Sequence, residues 1–170
     1  MSFACKFNGS SSKIDLGSDV IGVKAVTVMG WIKPYSTGES EGQIINNGRI
    51  YLGYDGLNKR VLFSSETSTY LTSGTNSVSL NKWQFISITR EADGTVNFYI
   101  GDKSTAPALS GSADQDSGTP AAGTTNVIIG NNSGATRTFD GTIPKLKVIE
   151  GILTLAQITQ VWSETRKEII

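Results

Sequence analysis

Three pairs of carboxylates stand two residues apart in this chain: Glu39 and Glu41, Glu91 and Asp93, and Asp114 and Asp116. Paired carboxylates cleave glycosidic bonds when they face one another about 5 Å apart across the scissile bond. None of these pairs is placed for that work. Glu39 and Glu41 fall in a Gly-Ser loop, where charges are solvated, and Glu91-Ala-Asp93 runs into the turn residue Gly94. No strand pattern carries an inward-facing acidic pair. The chain has no histidine, which excludes Ser-His and Cys-His triads, most zinc sites and the usual general base near neutral pH. Cys5 is the single cysteine, so an intrachain disulfide and a thiolate metal site are excluded as well. It reads as a small buried hydrophobe on a strand and fits a reducing site of synthesis.

What remains is recognition without covalent chemistry. Tyr35, Tyr51, Tyr54 and Tyr70 are the candidate exposed aromatics, each with an apolar face and a polar tip. Asn46, Asn47, Asn131 and Asn132 could hydrogen-bond sugar hydroxyls and are equally good turn formers. Fifteen basic residues balance fifteen acidic ones, so the basic excess of a nucleic-acid binder is missing and no nucleic-acid partner is expected. The first residues lack a basic stretch followed by an apolar run, and the longest apolar runs are as short as Val127-Ile-Ile129. A bilayer needs about 20 apolar residues, so the expectation is a protein made in the cytoplasm without a signal peptide or membrane insertion.

The elements that must position these residues read as strands. Apolar residues alternate with period 2 along most of the 170 residues, the mark of half-buried strands. Phe3, Cys5 and Phe7 alternate, then Asn8-Gly9 breaks the run; Ala25 to Tyr35 is a long strand with Pro34 at its end. Asn47-Gly48 and Asp55-Gly56 are turns, and between them Ile50, Leu52 and Tyr54 share one face with Tyr51 on the other. Trp83 to Arg90 turns at Ala92-Asp-Gly94 into Thr95 to Ile100, the clearest hairpin. Asn126 to Gly130 and Phe139 to Ile149 are further strands. About ten short strands at this spacing predict a sandwich. One helix is predicted, opened by the capping box Thr154-Leu-Ala-Gln157, with Leu155, Ile158 and Trp162 on one stripe and Arg166 and Lys167 in the last turn. Ser64 to Ser79 reads as a loop plus an edge strand, and Gly101 to Thr125 as a long loop. No second domain is visible, so residues 1–170 form one domain.

In chain order, Phe7-Asn-Gly9, Val26-Thr-Val-Met-Gly-Trp31-Ile-Lys-Pro34, Trp83-Gln-Phe-Ile-Ser-Ile-Thr-Arg90, Gly94-Thr-Val-Asn-Phe-Tyr-Ile100, Ile128-Ile-Gly130, Phe139-Asp-Gly141-Thr-Ile143 and Leu153 to Trp162 resemble laminin-G-like domains of the concanavalin A-like lectin/glucanase superfamily. The resemblance covers nearly the whole chain. It implies an all-β fold: a two-sheet antiparallel jelly-roll sandwich with one short C-terminal helix. Trp31 and Trp83 are bulky enough to fill the roughly 10 Å gap between packed sheets, and Gly130 and Gly141 suit a bend or a close backbone approach.

The superfamily includes glycosidases, whose Glu-x-Asp-x-x-Glu strand motif is approached only by Glu91-Ala-Asp93-Gly94 and is incomplete there. A non-enzyme is therefore expected. Many relatives hold calcium at the sandwich rim, and such sites need six to eight oxygens. The candidate metal ligands are Asp102, Asp114 and Asp116, with Asp55, Asn58, Asn131 and Asn132 as further donors. The candidate ligand-binding residues are Tyr35, Tyr51, Tyr54, Tyr70, Asn131 and Asn132. The chain is expected to be a non-catalytic binding or adhesion module. The favoured setting is the surface of a bacteriophage virion, as a decoration or tail-associated protein contacting cell-surface glycans. A jelly roll starting at its own Met1 and the loose likeness of Gln157 to Arg166 to virion modules motivate that setting. Its partners would be a glycan or a capsid protein, with self-association into a homo-oligomer. The alternative is a free-standing carbohydrate-binding lectin.

Overall fold

The computed structural model describes residues 4–39, 41–65, 70–111, 121–169 and the backbone of 114–115. Among them the strands form two antiparallel sheets of a jelly-roll sandwich. The larger sheet orders β1 (Cys5–Asn8), β13 (Asp140–Ile143), β3 (Val26–Pro34), β8 (Gln84–Arg90), β9 (Thr95–Asp102) and β10 (Ala108–Leu109). Here β11 (Asp114–Gln115) also pairs with β9, and β14 (Leu146–Glu150) with β3. The smaller sheet orders β2 (Ile14–Asp15), β12 (Ile128–Ile129), β4 (Gly42–Asn46), β5 (Ile50–Asp55), β6 (Arg60–Ser65) and β7 (Leu71–Thr72). The helix α1 (Leu155–Thr165) follows, closed by a 3-10 turn at Arg166–Glu168.

Alternation builds two separate cores. On β3, Val26, Val28 and Ile32 face the gap between the sheets and join Phe7, Ile44, Leu52, Phe63, Ile86, Phe98 and Phe139. Met29 and Trp31 point the other way, onto the outer face of the larger sheet, where they meet Phe85, Ile158, Trp162 and Ile169. So Trp31 does not fill the gap between the sheets, contrary to expectation, because it neighbours inward-facing Ile32. Trp83 lies just before β8 and is half-buried at the same outer cluster. Trp31 and Phe85 meet edge to face at 5.4 Å, and Trp31 Nε1 donates to Thr165 Oγ1 at 2.9 Å. The helix starts at the expected capping box: Gln157 N donates to Thr154 Oγ1 and Thr154 N to Gln157 Oε1. Its Trp162 packs on the sheet, donates to Asp102 O at 2.7 Å, and carries the Arg166 guanidinium 4.4 Å above its ring.

Other differences have local causes. The segment from Phe139 to Ile149 is two strands, not one. Pro144 has no amide to give a ladder, and β3 changes partner there from β13 to β14. Gly30 faces that junction, where a Cβ would stand 2.2 Å from Lys145 O. Cys5 is exposed at the start of edge strand β1 rather than buried. The loop after β9 carries β10 and β11, both folded back on β9. Gly130 does allow the expected close approach: its φ is +80° and a Cβ would stand 2.0 Å from the Phe7 ring.

One polar junction ties three loops together. Asp19 Oδ1 accepts from Ile21 N, Gly22 N and Asn47 Nδ2, and Oδ2 from Gly123 N. Asn47 is fully buried; its Oδ1 accepts from Arg49 N and Ile50 N, and its carbonyl from Thr124 N and Thr125 N. Burial alone would raise the Asp19 carboxyl, but the four hydrogen bonds outweigh it and hold the group below the usual carboxylate range. A depressed folded value adds stability that is complete above the unfolded value near pH 4 and is lost as pH falls through the folded one. Asp19→Ala is therefore expected to cost about 1–3 kcal/mol at neutral pH, through amides left unsatisfied. The cost should shrink below about pH 4. Thermal melts of both proteins across the acid range check this; a difference independent of pH would contradict it.

Candidate functional site

The β5–β6 hairpin and the loop joining β3 to β4 frame an open groove of about 550 Å³, lined by Thr37, Glu41, Asp55, Leu57, Asn58 and Arg60, with Gly56 at its floor. Asp55 organises one wall. Its Oδ1 accepts from Leu57 N and Asn58 N, and its Oδ2 from Asn58 Nδ2 at 2.7 Å and Arg60 Nε at 3.0 Å. This is an Asx turn extended by an ion pair, and it leaves Leu57 86% exposed at the tip. Burial would raise the Asp55 carboxyl, but the Asn58 and Arg60 contacts prevail and hold it low. Arg60 Nη1 also reaches Thr72 Oγ1 at 3.3 Å, fixing the guanidinium along the outer face of the smaller sheet.

An aromatic pair adjoins the groove at Glu41. Tyr51 points outward from β5, as its alternation predicts, and its ring lies along the sheet over Gly53. A Cβ on Gly53 would stand 2.6 Å from Tyr51 Oη, so the ring fits because that residue is glycine. Tyr51 Oη donates to Glu41 O at 3.1 Å. Tyr70 covers it, with ring centroids 5.3 Å apart and planes tilted by 45°. Tyr51 is thus buried, with its hydroxyl pushed far up by burial and by the Glu41 charge. Tyr70 stays 41% exposed, its hydroxyl raised by burial, by the Glu41 charge and by its hydrogen bond to Glu41. Glu41 also faces Arg137 at 3.6 Å, and Glu39 Oε2 accepts from Thr138 N. The two loop glutamates are therefore built into the structure, not merely solvated.

The other candidate residues lie elsewhere. Tyr54 is 1% exposed in the core between the sheets, edge to face with Phe139 at 6.4 Å, because it shares a face with Ile50 and Leu52. Burial and the Asp55 charge push its hydroxyl up to about 12. It is not a surface aromatic. Asn131 is fully buried; it donates to Thr138 Oγ1 and accepts from Asn132 N and Arg137 N. Asn132 closes the same turn onto Thr136. Both act as turn formers. Tyr35 lies on the larger sheet's side, its hydroxyl 2.8 Å from Thr142 Oγ1. Of the six expected ligand residues, the structure brings together Tyr51 and Tyr70. Leu57, Arg60, Arg137 and Thr37 were missed. The one sequence signal was a leucine inside the turn Asp55-Gly-Leu-Asn58.

The calcium ligands do not converge. Asp114 pairs with Val96 near the start of β9, whereas Asp102 ends that strand. Six residues of strand separate them by about 20 Å, so they cannot share one ion. Asp102 spends its carboxylate on Ser104 N and Thr105 N, both at 2.7 Å. Asp116 lies outside the described residues. Among the described residues no group of three or more acidic or cysteine side chains is placed to hold a metal ion. None of the described helices is long and apolar enough to cross a membrane.

These features define a lectin-like sandwich with a polar, aromatic-flanked groove at its rim. A family model of the concanavalin A-like lectin/glucanase superfamily, the laminin G type, matches residues 8–159. The chain belongs to that family. It is similar to the heptameric SAP-like pentraxin of Limulus polyphemus, at 16% identity and a TM-score of 0.71, over 94% of this chain and 81% of that one. It is also similar to the Ruminococcus gnavus IT-sialidase CBM40 bound to α2,3 sialyllactose, at 12% identity and 0.72, over 94% and 98%. The receptor binding domain of botulinum neurotoxin D matches at 16% and 0.69, over 95% and 44%. At these identities the likeness shows the fold. No curated protein sequence matches the chain.

Proposed function

We propose that this chain is a non-catalytic glycan-binding module whose saccharide sits in the rim groove against Tyr70. The observation that carries the reading is the layered Tyr51–Tyr70 pair beside a groove lined by Thr37, Glu41 and Asn58. Aromatic faces take the apolar C–H side of a sugar, and convergent amide, hydroxyl and carboxylate groups take its hydroxyls. The Asp55 carboxylate supports a non-catalytic role. A general acid needs a raised value, whereas Asp55 is held low by Asn58 and Arg60. The names of the CBM40 and neurotoxin neighbours, a sialyllactose complex and a receptor binding domain, point the same way. The test is a glycan array followed by titration of the strongest hit. Tyr70→Ala is expected to weaken that hit about tenfold, or 1.4 kcal/mol, without moving the melting temperature by more than a few degrees. An unchanged affinity would sink the assignment of this groove.

The more specific reading places the module on a virion surface, docked to a capsid or tail protein and self-associated there. Its support is the likeness of Gln157 to Arg166 to the ends of virion laminin-G-like modules. Mass spectrometry of purified particles tests it, and absence from every particle fraction would end it.

A further inference from the structure

A second surface gathers basic side chains around two aromatic rings. Lys33 projects from β3 onto the outer face of the larger sheet, between Tyr35 and Trp83. Its Nζ lies 5.8 Å from each ring centroid. Lys6 reaches the same Tyr35 ring at 5.6 Å. In the sheet, Lys6 pairs with Thr142 and Thr142 with Lys33. The two lysines thus sit two strands apart, about 10 Å between Cα atoms, with the Thr142 hydroxyl between them. Lys82 and Lys103 border the adjoining hollow of about 220 Å³, whose lining also includes Trp83, Gln84, Asp102 and Ser104. Lys24, Arg60, Arg137 and Lys145 each have a carboxylate partner, whereas Lys6, Lys33 and Lys82 make no ion pair among the described residues.

Two ammonium groups drawn to one ring repel each other, and an oxyanion between them relieves that repulsion. The rings fix the ammonium positions without neutralising them. The adjoining hollow differs in character. It offers the Gln84 amide, the Ser104 hydroxyl and the Trp83 ring, with Lys82 and Lys103 set against the Asp102 carboxylate, which suits the hydroxyls and the C–H face of a sugar. We infer that this face binds a sugar bearing an acidic group, a carboxylate or a sulfate. The anion lies between Lys6 and Lys33, and the hydroxyls face the hollow beside Trp83. The site lies on the opposite sheet from Tyr70 and does not depend on the groove assignment.

The test is an amide and indole NMR titration with four probes. These are methyl glucuronide, glucose 6-sulfate, methyl glucoside as the neutral sugar, and glutarate as an acid without a sugar ring. Either acidic sugar is expected to move the Lys33, Tyr35, Gln84 and Trp83 signals saturably, and the pair together tells carboxylate from sulfate. Lys6→Gln with Lys33→Gln is expected to weaken that binding about tenfold or more, while Tyr70→Ala leaves it unchanged. Lys6 is exposed and Lys33 half-buried at the sheet surface, and an unchanged melting temperature confirms that the double variant keeps the fold. The inference is overturned if methyl glucoside or glutarate binds as well as the acidic sugars. It is also overturned if neither acidic sugar moves these signals, or if a hexaglutamate peptide binds more than tenfold tighter.

Discussion

Trp162→Ala is expected to destabilise the fold by about 3–5 kcal/mol, the range for removing a large buried aromatic. Trp162 is 7% exposed and is the main contact between α1 and the sheet. Its loss opens a cavity over Met29, Trp31 and Phe85 and strands the Asp102 carbonyl that its indole now serves. The Arg166 guanidinium loses the ring it covers as well. Urea unfolding of the variant measures the cost. Leu155→Ala, at the first position of the same helix and 43% exposed although it shares the stripe of Trp162, is the matched control and should stay within about 0.5 kcal/mol of the parent. If the two variants were equally stable, the helix would be an ornament on the sandwich and not part of its core.

The second large effect concerns the groove. Asp55→Ala removes the acceptor for Leu57 N, Asn58 N, Asn58 Nδ2 and Arg60 Nε at once. The turn loses its Asx geometry, Arg60 loses its ion pair, and the wall that carries Asn58 is no longer fixed. Losing about 2 kcal/mol of positioned contacts corresponds to a drop in glycan affinity of about 30-fold. Asp55→Asn keeps an acceptor oxygen for the two backbone amides but gives up the charge that holds Arg60, so it should fall between the parent and Asp55→Ala. Titration of the three proteins with the array hit checks the order. Equal affinities would show that the hairpin wall does not contact the ligand.

The strands and the capping box were legible because both are local signals. Period-2 alternation decides which side chains share a face, and it separated Tyr54 from Tyr51 correctly. The turn chemistry of Gly48 and Gly94 is likewise written in adjacent residues. What alternation does not say is what covers a face. Trp31 and Phe7 have the same apolar character, yet one lies under a helix more than 120 residues away and the other between sheets. The candidate site failed to emerge for the same reason. Glu41, Tyr51, Arg60, Tyr70 and Arg137 come from five stretches of chain; the pairing of β4 through β7 brings the first four together, and the bridge between Gln43 and Thr138 brings in Arg137. Proximity in sequence also misled. Asp102 and Asp114 are twelve residues apart, but the antiparallel return of β11 onto the start of β9 puts them at opposite ends of a strand.

The two cores also divide the molecule optically. All three tryptophans, Trp31, Trp83 and Trp162, belong to the outer cluster of the larger sheet, whereas the aromatic pair adjoining the rim groove is Tyr51 and Tyr70. Indole emission therefore reports whether the C-terminal helix is docked, and Trp83, half-buried beside Lys33, senses a charged occupant there. A sugar settling on Tyr70 is dark in that channel and alters the tyrosine signal instead. One cuvette, read at two excitation wavelengths, can follow the two faces of this sandwich independently.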